Sequence, residues 1–148
     1  MKFIPAEPDF VEMVREKIAG NHFSAFTGFD IYTIEPGYIE AKLVLKPHHL
    51  QQMGFVHGGV TATMADVVSG FAAYSLVAKN QGVVTADLKV SYLNPGIGDV
   101  LYAKGYVIKA GQKLHFCEAE LWMNNAEGNP VLIAKASSTM VAIDIPAK

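Results

Sequence analysis

A glycine pair in front of a long helical segment is the first feature of the sequence that could do chemistry. The run His57-Gly58-Gly59 precedes a stretch rich in alanine and valine. The first amides of a helix have no intrahelical acceptor and lie at its positive end, and glycine lets a ligand approach them closely. Such an amide could stabilise the negative charge that develops on a carbonyl oxygen during acyl transfer. The glycines are equally typical of a tight turn with a purely steric role.

The second such feature is Asp66, the only charged residue between Gly58 and Ala78. Aspartate is unfavourable inside a helix and costly to bury, and on an exposed helix it would be expected among charged partners. Two interpretations remain open. Asp66 is a carboxylate in a dry site, acting as nucleophile or general base, or it points to water or caps an irregularity of the backbone.

The spacing of these two features has a consequence for assembly. Gly58 and Asp66 are eight residues apart, which is about 12 Å along a helix. One chain therefore cannot easily place a single carbonyl group about 3 Å from both. Two antiparallel helices from two copies would bring Asp66 of one copy to the Gly58 amide of the other, so the spacing predicts a dimer.

The other residues that could act as nucleophiles, bases or metal ligands lack the partner residues that such roles require. His57 is a candidate general base, but an orienting or structural role is favoured, because there is no G-x-S-x-G motif to supply a partner nucleophile. His48 and His49 are adjacent without further ligands at metal-binding spacing, so no metal site is predicted. Cys117, the only cysteine, is expected to be a small buried strand residue.

Periodicity predicts the elements that position these residues. Apolar residues at helical spacing predict a short N-terminal helix over 9–19 and a long helix from Gly58 to about Val77, and alternation predicts strands. The predicted strands cover 29–35, 38–45, 84–92, 100–109, 113–123 and 131–143, with Val84, Ala86, Leu88, Val90 and Tyr92 on one face of the third.

The predicted fold class is α+β. A curved antiparallel sheet of five to six strands wraps around one long central helix. The larger residues of this helix form one apolar stripe, comprising Val60, Met64, Val67, Val68, Phe71 and Leu76. The sheet must have an exposed edge strand, which could pair with a second copy.

Composition restricts the class of protein. The chain has 148 residues, 51% hydrophobic and 18% charged, with a formal net charge of -2. These values exclude a disordered chain and argue against a nucleic-acid partner. They fit one domain, 1–148. No apolar run approaches the roughly 20 residues of a membrane span, and no signal peptide is recognised, so we expect a cytoplasmic protein.

Together, these residues carry a family resemblance. Gln51, His57-Gly58-Gly59, a small-residue-rich helix with Asp66, and a strand leading to Asn94-Pro95-Gly96 resemble the hotdog-fold acyl-CoA thioesterases, over about 48–141. The most similar branch comprises the phenylacetate-pathway and 4-hydroxybenzoyl-CoA thioesterases. The resemblance implies hydrolysis of an acyl- or aryl-acyl-CoA to a carboxylate and free CoA, without a cofactor. It also implies a homodimer with two interfacial sites, or a tetramer.

The resemblance also implies roles for individual residues. The Gly58 amide would polarise the thioester carbonyl, and Asp66 of the facing subunit would attack it or activate water. Gln51, where many members have Asn, would hold the carbonyl or the water. Thr85 would orient the water, and His57 would support the motif.

The same likeness suggests where the substrate binds. Gly59 would contact the substrate, and Lys104, Lys109 and Lys113 would hold the phosphates of CoA, unless these lysines are an ordinary solvated edge. Alternatives are a non-catalytic acyl-CoA-binding or sensing module, a hotdog dehydratase or hydratase, and a structural oligomerisation domain.

Overall fold

The architecture follows the predicted order of elements. A computed structural model describes residues 2–146; the predicted domain 1–148 includes Met1, Ala147 and Lys148, which lie outside them. The elements are α1 (Phe10–Ala19), α2 (His22–Thr27), β1 (Asp30–Glu35), β2 (Tyr38–Val44), a 3-10 turn (Pro47–His49), α3 (Gly58–Tyr74), β3 (Gln81–Tyr92), β4 (Val100–Ala110), β5 (Leu114–Asn124) and β6 (Pro130–Asp144).

The six strands form one antiparallel sheet in the order β1-β2-β4-β5-β6-β3. Helix α3 contacts β2, β3, β4, β5 and β6, so the sheet curves around it. The predicted α+β fold, with a curved sheet around one central helix and a short N-terminal helix, is confirmed. Strand β3 follows α3 in the chain but joins the far side of β6, which leaves β1 and β3 as the two edges.

The central helix rests directly on strand β4. A Cβ atom at Gly105 would lie 2.5 Å from the Val68 carbonyl carbon and 2.8 Å from the Ser69 nitrogen. Only glycine permits so close an approach of two backbones. Small side chains therefore fill much of the space beneath the helix, and Ala65, Ser69 and Ala72 are fully buried there.

The apolar stripe predicted for this helix is correct only in part. Met64 and Val68 are fully buried, but Val60, Val67 and Phe71 are only partly buried. The reason is the short distance to the sheet, which admits small residues and moves larger ones to the flanks. Helix α3 consequently keeps an apolar side that the described chain does not cover completely.

Strand β3 contains a bulge that changes its faces. Its pairing with β6 shifts register between Thr85 and Asp87, and a bulge of this kind lets residues of opposite parity share a face. Val83 before the bulge and Leu88 after it both pack against the core. The simple alternation predicted for this strand is therefore wrong, and Val84 is 46% exposed.

Helix α2 was not predicted from the sequence, because six residues are too few for an apolar period. Its end signals are nevertheless present. The Asn21 side chain caps the helix by accepting the Ser24 N–H at 3.1 Å, and Gly28 ends it in the left-handed conformation with φ 82°. None of the helices in the described part of the chain is long and apolar enough to cross a membrane.

Candidate functional site

The start of helix α3 has one free amide. His57 is the N-cap, and its Nδ1 accepts the Gly59 N–H at 2.9 Å. The His57 carbonyl accepts the N–H groups of Val60 at 2.9 Å and Thr61 at 3.2 Å. Of the first four amides of the helix, only that of Gly58 therefore lacks an acceptor within residues 2–146. This amide lies at the positive end of the helix dipole and is free to donate a hydrogen bond to a carbonyl oxygen.

The turn in front of α3 holds His57 in place. The His57 N–H donates to the His49 carbonyl at 2.9 Å. His49 is buried; its Nδ1 accepts the Lys46 N–H at 3.0 Å, and its Nε2 lies 2.9 Å from the Thr27 carbonyl oxygen. Burial lowers the pKa of His49, and its hydrogen bonds are those of a neutral ring. Both histidines thus have contacts that suit an orienting role.

Gln51 lies beside the free amide. A pocket of about 260 Å³ is lined by Gln51, Phe55, Gly58, Tyr92 and Asn94 among others. The Gln51 Oε1 accepts the Met53 N–H, so its Nε2 amide is the end that remains to donate. The Tyr92 hydroxyl donates to the Gly58 carbonyl at 2.8 Å. The structure therefore brings Gln51 and Gly58 together at one pocket and adds Tyr92, which the sequence analysis did not identify as a site residue.

Asp66 lies at a different place on the same helix. Its Oδ1 accepts the Thr85 hydroxyl at 2.7 Å, and the Thr85 oxygen lies 3.4 Å from Met140 Sδ. Thr85 faces the helix because of the bulge in β3. Two residues singled out in the sequence, Asp66 and Thr85, are thus joined directly, with one carboxylate oxygen left without a protein partner in the described chain.

A second pocket opens beside this pair. Its volume is about 400 Å³, and Asp66 and Thr85 line it together with Phe71, Tyr74, Met140 and Ile143 among others. Apart from Asp66, Thr85 and two polar residues of the N-terminal segment, its walls are apolar or glycine. A carboxylate at the rim of such a pocket can act on a group that an apolar wall positions.

The described chain keeps the two halves of the site apart. No residue lines both the pocket of Gly58 and that of Asp66, and the helix holds the two residues about 12 Å apart along its axis. A single copy therefore does not assemble amide and carboxylate around one carbonyl group, which agrees with the spacing argument made from the sequence.

The three lysines proposed for the CoA phosphates are not all together. Lys104 forms an ion pair with Glu120 at 2.8 Å and lies over the Trp122 ring, 5.6 Å from its centroid. Lys109 and Lys113 are exposed at the β4–β5 turn. Five residues of strand place Lys104 about 16 Å from Lys109.

Comparison with known proteins identifies a family and relatives that this chain resembles in sequence and fold. The thioesterase superfamily model matches residues 53–127. Human acyl-coenzyme A thioesterase 13 is 27% identical over 132 residues, covering 86% of this chain and 90% of that protein. A thioesterase family protein from Silicibacter pomeroyi superposes with a TM-score of 0.88 at 30% identity, over 91% of this chain and 98% of that one.

The E. coli PaaI protein from the phenylacetic acid degradation operon shares the fold at 18% identity, with a TM-score of 0.79 over 93% of this chain and 96% of its own. The family match covers half of the chain and includes the start of α3, Asp66 and Thr85. The two solved structures share the fold described above. This chain therefore belongs to the thioesterase superfamily, and it is a thioester hydrolase with the hotdog fold.

Proposed function

We propose that this protein is an acyl-CoA thioesterase that hydrolyses an acyl- or aryl-acyl-CoA to the carboxylate and free CoA. The observation that carries the proposal is the pattern of hydrogen bonds at the start of α3. The His57 side chain accepts the Gly59 N–H, and the Gly58 N–H has no acceptor in the described chain. That amide would bind the thioester oxygen and stabilise the negative charge that develops on it. The name of the human relative supports CoA as the thiol.

Asp66 would bring about the attack on the thioester carbon in one of two ways. As a general base, it takes a proton from a water molecule whose oxygen attacks the thioester carbon; the C–S bond breaks and the CoA thiolate takes up a proton. As a nucleophile, it attacks the carbon itself, releases CoA, and forms an anhydride that water hydrolyses. Thr85, bonded to Asp66 at 2.7 Å, would fix the carboxylate or orient the water in either case.

The active site would be shared by two copies of the chain. Two α3 helices that pack antiparallel would bring Gly58 and Gln51 of one copy to Asp66 and Thr85 of the other. The surfaces needed are available, since α3 has a half-exposed side and residues 84–87 of the edge strand β3 are exposed. A twofold arrangement creates two such sites per dimer, and a pair of dimers would extend it to a tetramer.

The remaining predicted residues would contribute less directly. Gly59 would let the substrate pass close to the backbone, while its own amide is used by His57. Lys109 and Lys113 are the lysines free to contact phosphates, because Lys104 already pairs with Glu120. The unit that carries all these groups would be one domain, 1–148.

The test is release of thiol from a panel of acyl-CoAs, followed with a thiol reagent. We expect Asp66→Asn, which keeps size and shape, to lower turnover by about 10²–10⁴-fold with an unchanged circular dichroism spectrum. Asp30→Asn is the matched control, since Asp30 is an exposed carboxylate on β1, the opposite edge of the sheet. Near-normal turnover by Asp66→Asn would reject the role of Asp66, and binding of acyl-CoA by the native protein without thiol release would indicate a sensing module.

A further inference from the structure

Gly70 occupies a position in α3 where the described chain gives no reason for a glycine. A glycine inside a helix costs about 1 kcal/mol relative to alanine. At Gly105, in strand β4, the glycine has a clear cause, because a Cβ atom there would meet the backbone of α3 at 2.5 Å. At Gly70 a Cβ atom would meet nothing within 4 Å. The space in front of Gly70 is therefore open, and whatever uses it is not part of the described chain.

That space belongs to the pocket that holds Asp66. Gly70 lies one helical turn beyond Asp66 and lines the same cavity of about 400 Å³. Tyr74 lies one turn further, and the Lys17 ammonium is 5.8 Å from the centroid of its ring. The pocket thus runs along α3 from a carboxylate at one end to a lysine at the other, with Gly70 halfway.

The length of the pocket limits what it can hold. Asp66 and Tyr74 are eight residues apart, or about 12 Å along the axis. With C–C bonds of about 1.5 Å, an extended chain advances roughly 1.3 Å per bond, so about nine bonds fit. The walls offered to such a chain, including Val67, Phe71, Met140 and Ile143, are apolar.

We propose that this pocket binds the acyl group of the thioester and that Gly70 sets how large an acyl group is accepted. The substrate class would be medium-chain or aryl-acyl thioesters. This rests on the proposed function, because Asp66 at the rim connects the pocket to the reacting carbon. A side chain at Gly70 would fill the middle of the pocket and leave room only for a short acyl group beside Asp66.

The experiment compares butanoyl-CoA and decanoyl-CoA as substrates of the native protein and of Gly70→Leu. We expect kcat/KM for decanoyl-CoA to fall about 10-fold to 100-fold, with the value for butanoyl-CoA nearly unchanged. Gly70→Ala should give a smaller loss in the same direction. Ala19→Leu, which adds similar bulk at an exposed position at the end of α1, should alter neither value.

Two further measurements separate the outcomes. Binding of decanoate by calorimetry does not depend on catalysis, and we expect Gly70→Leu to lose it. Light scattering shows whether Gly70→Leu changes the oligomeric state. An equal loss for both substrates, a changed oligomeric state with such a loss, or unchanged decanoate binding would overturn the assignment of the pocket. If the native protein cleaves neither substrate, the proposed function fails, while decanoate binding still decides for or against the pocket.

Discussion

Replacing Gly58 by proline is the most direct way to remove the free amide without unfolding the helix. Proline lacks the N–H group and favours the first position of a helix, which is where Gly58 lies. The preceding residue must be extended, and His57 already has φ -64° and ψ 135°. A Cβ atom at Gly58 would lie 3.4 Å from the Tyr92 ring, so the backbone conformation suits proline and its Cβ atom has room.

The size of the effect follows from the hydrogen bond that is lost. Removing one donor to a developing oxyanion typically lowers kcat by about 10²–10³-fold. Because no described residue accepts the Gly58 amide, its removal breaks no bond within the fold, and the thermal midpoint should change little. Gly58→Ala retains the N–H and adds only the Cβ, so it should keep most of the activity.

The assay is steady-state thiol release by both variants with the same acyl-CoA. A kcat of Gly58→Pro close to that of Gly58→Ala would refute the role of the amide.

Mixing the two inactive variants Gly58→Pro and Asp66→Asn then tests whether the site is shared between subunits. Random exchange of Gly58→Pro and Asp66→Asn subunits makes half of the dimers mixed, each with one intact site of two, so about one quarter of the native activity should return. A mixture no more active than its parents would place the site within one chain.

Two further predictions concern stability. Burial without any hydrogen-bond partner in residues 2–146 lowers the pKa of His115, so the unfolded chain binds protons more readily and the free energy of unfolding should decrease as the pH falls below about 6.5. The variant His115→Leu should reduce this decrease, whereas His22→Gln, at an exposed histidine, should not. Urea unfolding at pH 7.5 and 5.5 measures the decrease, and an equal decrease in all three proteins would contradict the prediction. Gly105→Ala should lower the free energy of unfolding by about 1–3 kcal/mol, because its Cβ would meet the Val68 carbonyl carbon at 2.5 Å. Gly70→Ala should be neutral or stabilising. Equal urea midpoints for the two variants would show that α3 does not pack directly against Gly105.

Local patterns were enough to predict most elements, but not how they meet. The periodicity of α3 and the isolated charge of Asp66 were visible because they depend on neighbours in sequence. The bulge at Thr85 and Asp87 was not visible, since it depends on the pairing of β3 with β6, and it changes which residues of β3 face the helix. Tyr92 was missed for the same reason, because only the sheet order brings its hydroxyl to the Gly58 carbonyl.

The placement of both halves of the site on one helix explains why a second copy would be required. A helix is rigid, and the Asp66 side chain is too short to bridge the distance to the Gly58 amide. In an antiparallel pair with Gly58 opposite Asp66, the twofold axis passes near residue 62, halfway between them. That residue is Ala62, half-exposed in the described chain, and its small side chain allows two helices to approach closely. The same helix would then define the interface, both active sites and, through Gly70, the room for the acyl group.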